Sequence, residues 1–251
     1  VRLEQTCQNM LAHQNMPNAV SCLCKEMAAA VSILTHMLKF DGKMIIQLKG
    51  NGPISMLVAE CSSDGILRAA GQWSDVDDRM TFQELVGKGY LAVTIDPNQG
   101  DRYQGIVALD HEKLSECINE YFKSSEQLDT KIWLGAGLES VGGLLLQRIS
   151  GEGGINCIGE GEWPTAQALA HTVNVSELIS DAGPLLTFRL FQELMPRSLA
   201  SWPIRFGCTC SRQRSANTFR TLGTDEVKSI FREQDEIVMR CQFCGQKYQY
   251  H

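Results

Sequence analysis

Cys208-Thr-Cys210 and Cys241-Gln-Phe-Cys244-Gly245 are two cysteine pairs near the end of the chain, separated by thirty residues. Four thiolates in two tight pairs are a ligand set typical of structural zinc, which binds sulfur tetrahedrally at about 2.3 Å. Gly245 after the second pair allows a positive φ, so that backbone N–H groups can turn toward the sulfurs. We therefore predict one zinc ion per reduced chain, bound by Cys208, Cys210, Cys241 and Cys244.

The residues between the two pairs predict two short helices. Ser215 is a candidate cap for the first helix, which would end at Gly223, and Thr224 is a candidate cap for the second. Lys247–Tyr250 is expected to form a short returning strand. Five apolar side chains could pack around the metal: Phe219, Leu222, Val227, Ile230 and Phe231. Because a unit of about 45 residues buries little apolar surface, zinc binding, worth about 10–16 kcal/mol in small zinc peptides, would supply most of its folding free energy.

Two structural disulfides, or four unrelated buried thiols, are the alternative interpretations of these cysteines. Structural disulfides are typical of secreted proteins, and the chain has no signal-peptide pattern after Val1. The cytoplasm is therefore the expected compartment. There the ten cysteines would be free thiols or metal ligands.

Composition places the chain among soluble proteins with a sizeable core. It has 251 residues, of which 43% are hydrophobic and 21% charged, and we identify no apolar run of the roughly 20 residues that a membrane span needs. Residues 205–251 hold eight Lys and Arg against five Asp and Glu, whereas the preceding residues hold fifteen against twenty-four. Four thiolates around zinc add two negative charges to the tail. A nearly neutral tail argues against nucleic acid as a partner.

Residues 1–150 predict an α+β core domain, in which helices are set among antiparallel strands joined by short turns. Residues 1–16 are weakly patterned and are expected to be frayed or partner-dependent. Helices are predicted at Pro17–Phe40, Phe82–Val86 and Glu112–Lys123. Strands are predicted at Met44–Leu48, Ile54–Glu60, Ile66–Ala70, Tyr90–Ile95, Tyr103–Leu109, Lys131–Leu134 and Leu144–Ile149.

Residues 151–204 predict a marginal helical linker between the core domain and the zinc-binding domain at 205–251. Five glycines crowd the stretch from Gly151 to Gly161, which is typical of a flexible segment. Short helices are expected near Pro164–His171, Val175–Ser180 and Pro184–Leu194, before two X-Pro steps interrupt the pattern. The segment is apolar enough to dock on the acidic domain but too broken to be stable alone, which favours a conditional element.

Motifs for nucleotide-dependent or hydrolytic chemistry are missing from the sequence. The glycine clusters fit neither a dinucleotide fingerprint nor a phosphate loop, and no GxSxG or HExxH occurs. The five histidines are scattered along the chain. We therefore expect a protein that is not an enzyme and does not depend on ATP.

Seven stretches, in order along almost the whole chain, resemble the family of thirty-three-kilodalton heat-shock proteins, which are redox-regulated bacterial chaperones. They are Leu38-Lys-Phe-Asp-Gly42, Gln47-Leu-Lys-Gly-Asn-Gly-Pro53, Tyr103-Gln-Gly-Ile-Val107, Ser125-Glu-Gln-Leu-Asp-Thr130, Gly142-Gly-Leu-Leu-Leu-Gln147, Phe206-Gly-Cys208-Thr-Cys210-Ser-Arg212 and Cys241-Gln-Phe-Cys244-Gly245. The resemblance implies a cytosolic holdase that is quiet when reduced and zinc-bound. When oxidised, such a protein loses zinc, dimerises and binds unfolding clients.

The four tail cysteines correspond to the family's zinc ligands and redox pairs. Cys208 would then pair with Cys210, and Cys241 with Cys244, which releases the metal and with it the folding free energy of the tail. Unfolding would spread into the middle segment and uncover apolar surface for clients. The candidate client-binding residues are Leu185, Leu186, Phe188, Leu190 and Phe191.

Some features depart from the family or allow other functions. Cys22, Cys24 and Cys157 are not part of the family's switch, and the family usually begins with residues before the position that matches Val1. Cys22 and Cys24 point about 200° apart on the predicted helix, which favours plain packing. A zinc module that binds RNA or a ribosome is one alternative function. A thiol-disulfide oxidoreductase that uses CxxC is another.

Overall fold

The computed structural model of the protein describes residues 1–38, 40–148, 162–180, 183–197, 200–233 and 236–251. Its elements from the N-terminus are β1 Arg2–Leu3, α1 Gln5–Leu11, α2 Asn18–Met37, β2 Gly42–Gly50, β3 Ile54–Ser62, β4 Ile66–Trp73, α3 Phe82–Val86, β5 Gly89–Pro97, β6 Tyr103–Ala108, α4 Leu114–Tyr121, β7 Thr130–Ala136 and β8 Val141–Gln147. After them come α5 Glu162–His171, α6 Val175–Ser180, α7 Gly183–Phe191, β9 Arg205–Phe206, α8 Arg212–Leu222, α9 Thr224–Glu233, β10 Ile237–Arg240 and β11 Lys247–Tyr250.

The predicted α+β class is confirmed, with strands that pair antiparallel through short turns. A six-stranded sheet has the order β6-β5-β2-β3-β4-β9, and a three-stranded sheet has the order β1-β8-β7. The strand β9 pairs parallel to β4, with Ile66 opposite Arg205 and Leu67 opposite Phe206. A two-residue strand carries too little pattern to be found in the sequence, so this attachment of the tail to the core sheet was not predicted.

Helix α2 is the central element of the core. Its apolar residues recur at three- and four-residue steps, and Val20, Met27, Val31 and Leu34 are fully buried. It contacts strands of both sheets. Within the described residues α2 is long and apolar enough to cross a membrane, which corrects the expectation that no segment would be. However, most of this apolar stretch is buried inside the protein, as is usual for a core helix.

The prediction for residues 1–16 was wrong. The strand β1 pairs with β8, and Cys7 and Met10 on α1 are fully buried. Cys7 and Met10 are three residues apart, so they share one face of α1. Seven helical residues are too few for that periodicity to stand out among polar neighbours. Tertiary packing on the core orders this segment.

Most predicted boundaries lie within a few residues of the observed ones. The helix predicted to end at Lys123 instead changes to a π-helical turn at Phe122–Glu126. The helix α3 occupies the predicted span and begins with a capping box between Thr81 and Glu84. The predicted end of the last core strand, Ile149, lies outside the described residues.

The middle segment docks on the three-stranded sheet, as expected. The helix α6 has the predicted bounds and packs against β7 and β8. Gly142 allows this close approach, because a Cβ there would lie 1.8 Å from the backbone oxygen of Leu178. Ala166, Ala170 and Phe191 from α5 and α7 form a small buried cluster beside Trp133 of β7. The glycine-rich stretch Gly151 to Gly161 and Cys157 lie outside the described residues.

Within the tail, the cap of the first helix corrects the sequence analysis. Helix α8 begins at Arg212, and the hydroxyl of Ser211 accepts a hydrogen bond from the backbone N–H of Arg214 at 3.2 Å. Ser215 lies inside α8, because the capping position goes to the serine with extended backbone before the first turn. Gly223 has φ 86° and ends the helix as predicted. The strand β10, which pairs with β11, was missed.

Candidate metal centre

The four tail cysteines come from two turns that the local sequence specifies. Cys208 and Cys210 lie between β9 and α8, and Cys241 and Cys244 lie in the connection from β10 to β11. Gly245 has φ 71°, as its position after the second pair predicted, and its N–H donates to the carbonyl of Cys241 at 2.8 Å. The β10–β11 connection therefore holds the second pair in a tight turn. The turn around each cysteine pair, at 208–210 and at 241–245, is a knuckle.

The sulfurs of the two pairs meet in one cluster. All four Sγ atoms lie within 4.8 Å of one another. The Sγ atoms of Cys208 and Cys241 are 3.7 Å apart, and those of Cys210 and Cys244 are 3.3 Å apart. A tetrahedron of sulfurs about 2.3 Å from a central zinc has edges of about 3.8 Å. The donor set and its spacing therefore fit a tetrahedral metal ion that prefers thiolates.

The thiols of the cluster differ in pKa. Burial raises the pKa of Cys210, but hydrogen bonds from Tyr248 and from neighbouring thiols outweigh burial and lower it to about 7. The hydroxyl of Tyr248 lies 3.1 Å from this sulfur. Burial and hydrogen bonds with the other sulfurs raise the pKa of Cys244 to about 12. The partners of these two thiols therefore shift their pKa values in opposite directions.

The cysteines outside the tail have a different environment. Cys7, Cys24, Cys61 and Cys117 are buried in the core. Burial raises the pKa of Cys7 and Cys24 to about 12 and that of Cys61 and Cys117 to about 11. A buried thiol with a high pKa is a poor nucleophile and a poor metal ligand. These four side chains therefore serve as packing residues, which agrees with the interpretation of Cys24.

Residues of the core surround the cluster, although the sequence did not predict them as part of the site. Arg68 on β4 donates from one terminal nitrogen to Thr209 Oγ1 at 3.2 Å and lies 3.7 Å from Cys208 Sγ. Its guanidinium carbon is 4.3 Å from the centroid of the Phe243 ring. The same side chain forms an ion pair with Glu60 at 2.5 Å. No local motif marks Arg68, because its partners are far away in sequence.

A second contact joins the other cysteine pair to the end of α1. The His13 ring nitrogen Nε2 is 3.2 Å from the carbonyl of Gln242, and Arg240 donates to the carbonyl of His13 at 3.2 Å. The His13 ring also packs on Gly245, where an added Cβ would lie 3.0 Å from it. Both knuckles thus contact the core directly.

The tail has a small aromatic core of its own. The Phe219 ring lies 5.0 Å from the Tyr250 ring and 6.1 Å from the Phe231 ring, between centroids. Val227 and Ile230 are half-buried, and the side chain of Leu222 lies outside the described residues. The predicted apolar residues therefore pack partly with one another and with β11.

The candidate client-binding residues lie on α7 with two different exposures. Leu186 and Phe191 are buried, whereas Leu185 and Phe188 are 57% and 58% exposed, and Leu190 is half-buried. One face of α7 therefore packs on the body and the other is open to solvent in this state.

Comparisons with known proteins agree with this architecture. The family model described as Hsp33 protein matches residues 1–251. The 33 kDa chaperonin of Shewanella sediminis is 39% identical over 251 residues, which are 100% of this chain and 86% of that protein. The 33 kDa chaperonin of Pseudomonas aeruginosa is 38% identical over 252 residues, covering 99% of this chain and 85% of that protein.

A solved structure has the same fold. The crystal structure of the 33 kDa chaperonin (heat shock protein 33 homolog) from Thermotoga maritima superposes with a TM-score of 0.82, and the match covers 99% of this chain and 88% of that one. Its sequence is 18% identical, so this likeness concerns the fold alone. The whole-chain family match and the close relatives carry the assignment: the chain belongs to the Hsp33 protein family.

Proposed function

We propose that the chain is a redox-regulated holdase, which binds unfolding proteins under oxidative stress and prevents their aggregation. Membership of the Hsp33 family, whose relatives are named chaperonins and not enzymes, supports a chaperone function. The observation that carries the redox part is the cluster of four half-buried cysteine sulfurs within 4.8 Å of one another. A thiol cluster open to small reagents and packed against the core can couple oxidation to structure.

In the reduced state, Cys208, Cys210, Cys241 and Cys244 would bind one Zn²⁺. The bound metal would keep all four sulfurs as thiolates and contribute folding free energy to residues 205–251. Tyr248 and Arg68 contribute a hydrogen bond and a positive charge at the same sulfurs. The small aromatic core around Phe219 is too limited to stabilise this unit by itself.

Oxidation would remove the ligands in pairs. Cys208 would join Cys210, and Cys241 would join Cys244, each forming one S–S bond. Each pair of thiolates gives two electrons to hydrogen peroxide. The O–O bond of the peroxide breaks, and its oxygen atoms take up two protons and leave as two water molecules. The metal is then released, and such short disulfide loops constrain little of the unfolded chain. The tail would lose the stability that metal binding supplied.

The domain division that we propose is a core domain at 1–150, a helical linker at 151–204 and a redox-switch domain at 205–251. Support for a conditional linker comes from its few buried residues, such as Trp163, Leu178 and Leu186. Loss of the tail's structure would free β9 from β4 and pull on the segment before it. The apolar residues Leu185, Leu186, Phe188, Leu190 and Phe191, with the surface that the buried Leu186 and Phe191 now cover, would then bind clients.

We also propose the partners and the compartment of the protein. The oxidised form would dimerise through the apolar surface it uncovers. The protein would act in the cytoplasm, without membrane or nucleic acid partners. Its nearly neutral zinc-bound tail gives a nucleic acid little to bind.

The deciding experiment follows zinc, structure and holding activity in the same sample. The reduced chain should contain one zinc and should not suppress aggregation of a thermally unfolding client. Peroxide with mild heat should release zinc, start aggregation suppression and produce dimers, and thiol reduction with added zinc should reverse all three. Peptide mapping should find disulfides within each pair.

Three results would contradict this function. They are holding activity that needs ATP hydrolysis, turnover of a disulfide substrate by the reduced chain, and salt-sensitive RNA binding without client binding. Holding activity that starts while residues 162–197 keep full amide protection would refute the linker mechanism.

A further inference from the structure

A cavity of about 310 Å³ opens beside the cysteine cluster, between the tail and β4. Two of the four cysteines, Cys210 and Cys241, line it, together with the arginines Arg68, Arg214 and Arg240. Its other lining residues are Thr209, Ser215, Thr218, Met239, Phe243 and Tyr248. The lining has no acidic side chain among the residues the structure describes. A space of this size holds about ten water molecules, so it admits a small solute.

The arginines keep hydrogen-bonding capacity for a ligand. Arg214 donates from Nη1 to the carbonyl and the hydroxyl of Thr209, both at 2.8 Å. Arg240 donates from Nη2 to the carbonyl of His13. Each guanidinium carries five N–H donors, so several remain on both side chains. Within the described part of the chain, no salt bridge neutralises Arg214 or Arg240.

The core side of the cavity adds an observation of its own. Arg68 is mostly buried, and its Nε–H has no hydrogen-bond partner, although both terminal nitrogens have one. Its terminal nitrogens already bond Glu60 and Thr209, so the free positive charge of the lining lies on Arg214 and Arg240. The acceptor that suits these two guanidinium groups is an oxyanion or a carboxylate.

The rest of the chain is acidic, whereas this cavity is lined by arginines. The formal net charge is −6, and residues before 205 carry twenty-four acidic against fifteen basic side chains. An acidic surface repels anions, while a concave basic site concentrates them locally. The cavity thus combines anion-binding groups with the sulfurs of Cys210 and Cys241.

We propose that this cavity binds small anions, namely carboxylates and oxyanions, and selects negatively charged reagents for the sulfurs of Cys210 and Cys241. The inference deepens the proposed function, because it names a class of small molecule that would reach the switch besides neutral peroxide. Anion selection is measured as the ratio of two reagents on the same reduced chain, so its test does not depend on holding activity.

Iodoacetate and iodoacetamide test the charge of the site directly. In both reactions a thiolate forms a C–S bond and displaces iodide, and the two reagents differ mainly in the charge of the carboxylate. The full reduced chain is alkylated with each, and modified peptides are quantified over time. The ratio of the iodoacetate rate to the iodoacetamide rate should be higher at Cys210 and Cys241 than in an unstructured cysteine peptide.

Charge-removing variants locate the effect. Arg214→Gln and Arg240→Gln should each lower the ratio about three-fold, the effect of one unit charge roughly 7 Å away in water. Arg212→Gln is the matched control, because Arg212 stacks 4.7 Å over the Tyr250 ring and does not line the cavity. Arg214→Lys should keep most of the wild-type ratio. Phosphate should slow iodoacetate more in the wild type than in the Arg214→Gln/Arg240→Gln chain.

Several outcomes would overturn the proposal. The first is a rate ratio in the wild type equal to that of the peptide. The second is an equal fall of the ratio in Arg212→Gln and Arg214→Gln, which would indicate only the general charge of the tail. If Arg214→Gln disturbs the fold, both reagents should react faster and Arg214→Lys decides the question. A ratio that falls equally in the lysine variant refutes anion selection, whatever the zinc content.

Discussion

The guanidinium of Arg68 lies 3.7 Å from the sulfur of Cys208, although the two residues are 140 positions apart. The same guanidinium lies over the ring of Phe243, which stands between the cysteines of the other pair. One side chain of the core sheet therefore contacts both knuckles of the cluster. The cysteine cluster and β4 are therefore in direct contact, without the middle segment between them.

Replacing Arg68 should separate the tail from the core. Its ion pair with Glu60 is mostly buried, with side chains 16% and 15% exposed, so Arg68→Met leaves a buried carboxylate without a partner. Breaking such a pair costs about 3–5 kcal/mol in unfolding free energy. Urea denaturation measures this loss, and hydrogen exchange of residues 237–250 measures docking.

A double variant distinguishes the two effects. Arg68→Met with Glu60→Leu removes the orphaned charge and should recover much of the unfolding free energy. The amides of the tail should still exchange faster than in the wild type. Wild-type protection in both variants would mean that Arg68 does not hold the tail in place.

Removing one ligand should abolish metal binding and unfold the tail. Cys244→Ser leaves three thiolates, and we expect the zinc affinity to fall by orders of magnitude because serine is a poor zinc ligand. Residues 205–251 should lose helicity and exchange protection, while β2–β5 stay protected. Cys117→Ser, which changes a buried core cysteine outside the cluster, is the comparison and should keep its zinc. A zinc-loaded Cys244→Ser chain with an ordered tail would contradict the assignment.

The docking of α6 should depend on the lack of a side chain at Gly142. An added Cβ would lie 1.8 Å from the backbone oxygen of Leu178, so Gly142→Ala forces α6 away from β8. We expect faster exchange at Val175–Ser180 and more hydrophobic-dye binding in the reduced chain. Gly183→Ala is the matched control, since a Cβ there meets nothing within 4 Å. Equal dye binding by both variants would show that this contact does not restrain the middle segment.

Glu26 on α2 should make stability fall as the pH rises. Burial raises the pKa of this carboxyl to about 7, and Lys113 offsets only part of the effect. Below the unfolded pKa near 4.5 the group is neutral in both states. Above 7 the folded chain must hold the charge of a half-buried carboxylate, so stability is lost as the pH rises from about 4.5 to 7.

Glu26→Gln should therefore raise the melting temperature by a few degrees at pH 8 and by much less at pH 5. Glu139→Gln, at an exposed position in the β7–β8 turn, serves as the comparison. A pH-independent gain at Glu26 would indicate better packing instead of a removed charge.

The cysteine pairs, the positive φ at Gly245 and the apolar stripe of α2 could be predicted from sequence because each depends on neighbours within one or two turns. The meeting of the two pairs was also predictable, since a four-sulfur site requires it. By contrast, the order of residues 1–16 depends on how this segment packs against the core.

The sequence by itself determined the α+β class, the two knuckles and the family to which the chain belongs. Only the tertiary structure decided that Arg68 and His13 contact the knuckles, and that Arg68, Arg214 and Arg240 converge on one cavity. The physical reason is the range of the interactions. Turn geometry and helix periodicity arise from adjacent residues, whereas the partners of a buried guanidinium depend on which strands pair. The two-residue parallel pairing of β9 with β4 is what brings the cysteines to Arg68.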